Sequence, residues 1–226
     1  KIYSSKIFKF MNLKDAELTK ISINSFMTMK ISFSNMVGLL CLKMKDSNSK
    51  NILTTVKEFF EKFTKGYKTG LGYGGPCLPR DNIALASLNK KLGYDLSLPN
   101  SVDEINNSIP KNLYNEFLKR YKNKKILFLG ISYKPKTSYY EKSQSLEIVK
   151  KTAKKNNVSV FDYNPIIINL ESKILIETNI EKAIKKNEII VLCHYDNRYN
   201  KLNLKNKIVI DFWKQLKTKP KKYLSF

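Results

Sequence analysis

The chain has 226 residues, 42% of them hydrophobic, with 12 Phe and 13 Tyr; that is enough for one large or two modest domains with buried cores, and it excludes a disordered polar chain. Eight Gly and seven Pro exclude collagen-like and linker-type sequence, and no run of 18 apolar residues suits a membrane-spanning helix. Lys and Arg total 42 against 19 Asp and Glu, a net charge of +23, but only Arg80, Arg120 and Arg198 carry the planar fork favoured in reading nucleic acids, so solvated lysines on ordinary faces are the expectation.

Residues 1–13 show no clear period. From Asp15 a helical pattern runs to about residue 45 without proline, and Asn12 or Asp15 suits its cap. Some 30 residues make a helix of roughly 45 Å, longer than a small domain, so it should span an interface or a subunit contact. A second helix is predicted over 52–63. Residues 66–81, GYKTGLGYGGPCLPRD, hold five of the eight glycines and form a loop. Helical pattern resumes at 82–92 and 102–121, and the basic joint 122–125 marks a domain boundary. Beyond it, apolar runs at 125–129, 158–162, 173–177, 188–193 and 207–211 alternate with helical stretches at 143–156 and 179–186. That texture predicts a parallel sheet with helices on its faces. The expected fold class is therefore α/β: a helical central domain over 14–121, then a Rossmann-like parallel-sheet domain over 122–226.

The cysteines Cys41, Cys77 and Cys193 are too sparse for a disulfide framework and point to reduced thiols and a cytoplasmic location. Cys77 sits in the Gly-rich loop, after Pro76 and before Arg80, Asp81 and a helix. A helix N-terminus and a cation favour a nucleophilic thiol, and Asp81 suits a cap, an orienting group or a proton acceptor for water; a small hydrophobe buried in a turn is the alternative. Lys20 and Asn24 share one helix face by their spacing, as a site lining or as an exposed stripe. Lys134, beside Tyr133, follows the end of a predicted strand, where open α/β sheets bind ligands. The GxGxxG fingerprint is absent, because Gly130 is followed by Ile131, Ser132 and Tyr133. His194 has no partner pattern, and no metal-ligand spacing occurs.

Four segments in order resemble the UDP-glucose/GDP-mannose dehydrogenase family. DAELTKISINSFMTMKISFSN is similar to its central helix, GYGGPCLPRD to its active-site loop, LGISYKPKTSYYEKSQS to the opening of its C-terminal domain, and VSVFDYNP to a later strand. The resemblance covers nearly the whole chain from about residue 10, and the Cys loop is its most specific part. One departure is Glu141-Lys142-Ser143, where the family often carries Arg-Glu-Ser.

The resemblance implies an enzyme that oxidises C6 of a nucleotide hexose from alcohol to carboxylate with NAD. Cys77 would form a thiohemiacetal and then a thioester, Lys20 would stabilise the oxyanion, Asn24 would hold the water or the same oxygen, and Asp81 would help move protons and orient Lys20 and Cys77. Tyr73 and Gly74 would approach the sugar, and Tyr133 and Lys134 the nucleotide. The long helix over 15–45 would form a homodimer. Residues 1–13 resemble only the tail of the family's NAD-binding domain, so the resemblance implies a chain that binds NAD poorly and does not turn over alone. UDP-glucose is the expected substrate, with GDP-mannose, another UDP-sugar, or a non-catalytic nucleotide-sugar-binding role as alternatives. No nucleic-acid or membrane partner is expected; a basic nucleic-acid-binding protein is the rival of another class, and it would bind in a salt-sensitive way.

Overall fold

The computed structural model describes residues 10–16, 19, 44, 46–62, 70–95 and 97–226. They fall into two compact units, one drawn from 1–64 and 92–96, the other from 65–91 and 97–226. In the first unit, Asn12 caps a helical start: its side-chain oxygen accepts from Asp15 N at 2.9 Å and its carbonyl from Ala16 N at 3.0 Å. Most of the helix expected over 15–45 lies outside the described residues. Helix α1 (Ser49–Lys62) starts three residues before the predicted 52, because Asn48 caps it through Asn51 N at 3.1 Å.

The second unit begins with the Gly-rich loop and helix α2 (Leu78–Lys91). This helix starts at 78, not 82, since Pro79 is tolerated in a first turn whose N–H groups have no helical acceptor. Helix α3 (Leu98–Leu113) packs on α2, with Asn82 Nδ2 donating to Pro99 O at 2.6 Å. It carries Pro110 in its interior and runs on into a π-helical turn, Tyr114–Leu118.

The sheet then forms from β1 (Lys125–Leu129), β2 (Asn157–Phe161), β3 (Ile174–Ile176), β4 (Ile189–Leu192), β5 (Ile208–Asp211) and β6 (Lys222–Ser225), ordered β3-β2-β1-β4-β5-β6. Every pairing is parallel, with Ile126 level with Val158 on one side and with Ile189 on the other. This is the strand order of doubly wound dinucleotide folds, and it reverses direction between β1 and β4. The fold is therefore α/β and Rossmann-like. Strand β6 escaped prediction because it is a partly exposed edge with a lysine, not an apolar run.

Helix α4 (Gln144–Ala153) and helix α5 (Ile180–Lys186) take opposite faces of the sheet. Each strand alternates its side chains between these faces. Ile126, Phe128, Val160 and Val191 join Ile148 and Val149 of α4, together with Leu113, Phe117 and Leu118 from the end of α3 and the π turn. Leu127, Leu129, Ile190 and Leu192 join Ala183 and Ile184 of α5. The Phe117 and Phe212 rings meet edge to face at 6.1 Å. Burying each of these Val, Leu, Ile and Phe side chains contributes about 1.5–3 kcal/mol. The helical segment ahead of the joint at 122 therefore supplies part of the sheet's own core.

Candidate functional site

The site is built at the carboxyl ends of β1, β2 and β4. Gly130, just past β1, has φ +86°, and a Cβ there would lie 2.3 Å from the ring of His194. Only glycine combines that dihedral with that contact. His194 is buried, and its Nε2 lies 2.9 Å from the carbonyl of Ser132, to which it donates. Burial lowers the His194 pKa, so the ring is neutral and structural.

Asp162 follows β2. One of its oxygens accepts from Ile131 N at 3.0 Å, from Ser132 N at 3.3 Å and from Ser132 Oγ at 3.2 Å. In a dinucleotide fold, the N–H groups after the first strand face a pyrophosphate. Here they face the chain's own carboxylate. NAD therefore does not fit this sheet in the dinucleotide manner, in keeping with the missing glycine fingerprint. Ser143 closes the loop: its Oγ donates to Ile131 O at 2.7 Å and accepts from Leu146 N at 3.3 Å, capping α4.

The Gly-rich loop is seated on this structure. Gly75 has φ +79°, and a Cβ on it would meet the Tyr133 ring at 2.5 Å. A Cβ on Gly74 would meet the backbone oxygen of Lys142 at 2.3 Å. Gly75 N donates to Glu141 O at 2.9 Å. Tyr73 O–H donates to Asp103, and burial followed by this carboxylate raises the phenol's pKa. The Lys134 ammonium sits 5.2 Å from the centre of the Tyr133 ring. Gly70 lies against Trp213, whose indole N–H donates to Cys193 O at 2.7 Å.

Four of the expected substrate-contacting residues, Tyr73, Gly74, Tyr133 and Lys134, are thus brought together around Gly75. Cys77 is exposed on the same loop, one residue before α2. Asp81 lies in the early part of α2, but its side chain is outside the described residues, as are Lys20 and Asn24. The sequence pattern missed two buried amides, Asn106 on α3 and Gln144 on α4, which hold the loop from beneath. Asn106 Oδ1 accepts from Tyr73 N at 2.8 Å, and Asn106 Nδ2 donates to Tyr73 O at 3.0 Å. Gln144 Oε1 accepts from Gly72 N at 2.7 Å. The one local signal was Pro110, four residues beyond Asn106.

Among the described residues no group of His, Cys, Asp and Glu is placed to hold a metal ion, and no helix is long and apolar enough to cross a membrane.

Comparison with known proteins follows the same division. Residues 14–108 match the UDP-glucose/GDP-mannose dehydrogenase family, central domain, and residues 127–218 match its UDP binding domain. A UDP-glucose 6-dehydrogenase of Rickettsia conorii is 30% identical over 236 residues, which cover 97% of this chain and 54% of the relative. One from Bacillus subtilis is 27% identical over 80% of this chain and 42% of its own length. The chain thus spans about half the length of these curated relatives or less. Among solved structures, a GDP-mannose dehydrogenase from Pseudomonas aeruginosa has a TM-score of 0.81 at 19% identity, over 95% of this chain and 53% of that one. A UDP-glucose dehydrogenase from Pyrobaculum islandicum has a TM-score of 0.62 at 23% identity, over 95% and 51%. These structural likenesses are of fold. With both family domains matched in order along one chain, and with the Cys loop lodged against the loop after β1, the protein belongs to the UDP-glucose/GDP-mannose dehydrogenase family.

Proposed function

We propose that this chain is the substrate-binding and thiol-bearing part of a nucleotide-sugar 6-dehydrogenase of the UDP-glucose type. One observation carries the reading: Gly75 packs on Tyr133, so the loop bearing Cys77 and the loop at the sheet's switch point form one surface. The nucleotide would lie along Tyr133 and Lys134, with the diphosphate drawn to the Lys134 ammonium. The hexose would pass Tyr73 and Gly74, whose lack of a side chain lets the backbone come close, and present C6 to Cys77.

The chemistry assigned to the chain's own residues is that of an activated thiol. The Cys77 sulfur adds to the C6 aldehyde, forming a C–S bond and an oxyanion that the Lys20 ammonium stabilises. Once that adduct is oxidised, a water held by Asn24 and deprotonated through Asp81 attacks the thioester. The C–S bond breaks, the carboxylate leaves, and the thiol is regenerated. In sum, a primary alcohol and one water become a carboxylate, with two hydrides accepted by NAD+ and three protons released. The described residues offer no pyrophosphate cradle, so NAD+ is held elsewhere in this reading. Assembly through the helix over 15–45 as a homodimer belongs to the same proposal.

UDP-glucose is preferred to GDP-mannose because relatives named UDP-glucose 6-dehydrogenase match at up to 31% identity, whereas a GDP-mannose 6-dehydrogenase matches at 27%. Calorimetric titration with UDP-glucose, GDP-mannose and a UDP-N-acetyl sugar tests the binding half. Cys77→Ser in the protein with its NAD site tests the chemical half: binding should persist and carboxylate formation should stop. Absence of binding by any of the three, or full turnover by Cys77→Ser, overturns the proposal.

A further inference from the structure

Proline has no N–H, so a proline inside a helix leaves the carbonyl four residues earlier without its donor. In α3 that proline is Pro110 and that carbonyl belongs to Asn106. The vacancy is filled from another helix: Gln144 Nε2 donates to Asn106 O at 2.7 Å. The other end of the same amide accepts Gly72 N at 2.7 Å, and the Asn106 side chain pairs with both backbone groups of Tyr73. Two buried amides, 8% and 7% exposed, therefore satisfy three backbone groups of the Cys77 loop, and Gln144 satisfies one of α3 as well. Gln144 is also the first residue of α4, directly after Ser143, whose hydroxyl holds Ile131 O of the loop after β1. A displacement of that loop reaches Gly72 through Ser143 and Gln144, and reaches Gly75 through Tyr133.

We propose that Asn106 and Gln144 are positioning residues that couple the Cys77 loop to the loop after β1, so that a nucleoside diphosphate bound against Tyr133 and Lys134 changes how the Cys77 thiol is presented. This rests on the functional reading above for where the nucleotide lies. The coupling is a population shift between loop arrangements and requires the ligand to favour one of them. Buried amide pairs suit that task, because each polar group they release would be left unsatisfied.

The test is the alkylation rate of Cys77 by iodoacetamide, followed by peptide mass mapping, with and without uridine diphosphate, in the wild type, Gln144→Ala and Asn106→Ala. Calorimetry measures uridine diphosphate binding in parallel. In the wild type the nucleotide should slow alkylation by about threefold or more, and in both variants the response should vanish while binding persists. Pro110→Ala added to Gln144→Ala separates positioning from simple stability. It returns an N–H to the Asn106 carbonyl, so the melting temperature should recover, while Gly72 stays unheld and the nucleotide response stays absent. Gln144→Glu keeps the acceptor for Gly72 N and should retain part of the response. Binding without any wild-type response overturns the coupling alone. Equal protection in the wild type and both variants means direct shielding and also overturns it. Failure of the wild type to bind uridine diphosphate removes the functional reading, and this proposal falls with it.

Discussion

The carboxylate of Asp211, at the end of β5, accepts the phenol of Tyr223 on β6 at 2.9 Å. It is fully buried and also accepts from Trp213 N at 3.0 Å, Gln215 N at 2.8 Å and Leu216 N at 3.1 Å. Four donors on one carboxylate tie the last strand and the turn after β5 to the sheet. Asp211→Ala should cost about 2–4 kcal/mol, because it strands those donors in the interior. Tyr223→Phe should cost about 1 kcal/mol. Urea unfolding followed by circular dichroism measures both, and an unchanged midpoint for Asp211→Ala would refute the role.

The same pair sets an alkaline limit. Burial, followed by Asp211, raises the Tyr223 pKa above its ordinary 10.0. The folded state thus holds this proton more tightly than the unfolded state does. Its contribution is complete below about pH 10 and is lost as pH rises from there towards the folded value. Stability measured against pH should fall less steeply above pH 10 in Tyr223→Phe than in the wild type. Parallel curves would refute this.

His194 sets the acid side, with the opposite sign. Its lowered pKa means that the unfolded chain takes up a proton before the folded chain does. The ring's contribution is present above about pH 6.5 and is lost as pH falls below that towards the folded value. Since the chain has one histidine, a proton NMR titration reports it directly, and the midpoint should lie below 6.5. A midpoint at or above 6.5 would contradict the buried, neutral ring.

Gly74→Ala should be the most damaging single methyl group in the Cys loop. The obstacle at 2.3 Å is backbone, Lys142 O, which cannot swing aside as a side chain can. A loss of about 1–3 kcal/mol is expected, together with weaker nucleotide-sugar binding by calorimetry. Wild-type stability and affinity in this variant would mean that the two loops are not held together as described.

Lys136 and Lys214 adopt left-handed backbone at φ +63° and φ +50°. Lys136→Gly and Lys214→Gly should each stabilise by about 0.5–1 kcal/mol, the relief of the side-chain clash less glycine's extra entropy in the unfolded chain. Thermal melts of the two variants check this, and a lower melting temperature would show that the lysine side chains hold those turns.

How much was legible beforehand follows from the range of each interaction. Five strands were visible because sheets buried on both faces leave short apolar runs, as in residues 188–193; β6 was not, since its lysine and exposed edge break the run. The helix expected over 102–121 gives way to a π turn after Pro110, which a periodicity count passes over. The Cys loop was visible as glycine spacing and Lys134 as the residue beyond a strand, but their contact through Tyr133 needed the folded chain. Asn106 and Gln144 lay in unremarkable polar positions, because their partners are 33 and 72 residues away.

The Phe117–Phe212 contact bears on any attempt to dissect the molecule. The exposed joint at 122–125 invites a cut, and a gene started there would encode every strand of the six-stranded sheet. Its product would lack Leu113, Phe117 and Leu118, baring the greasy side of the sheet that they cover. Such a truncation should clump on expression, whereas a proteolytic nick at the joint should leave both pieces migrating together under native conditions.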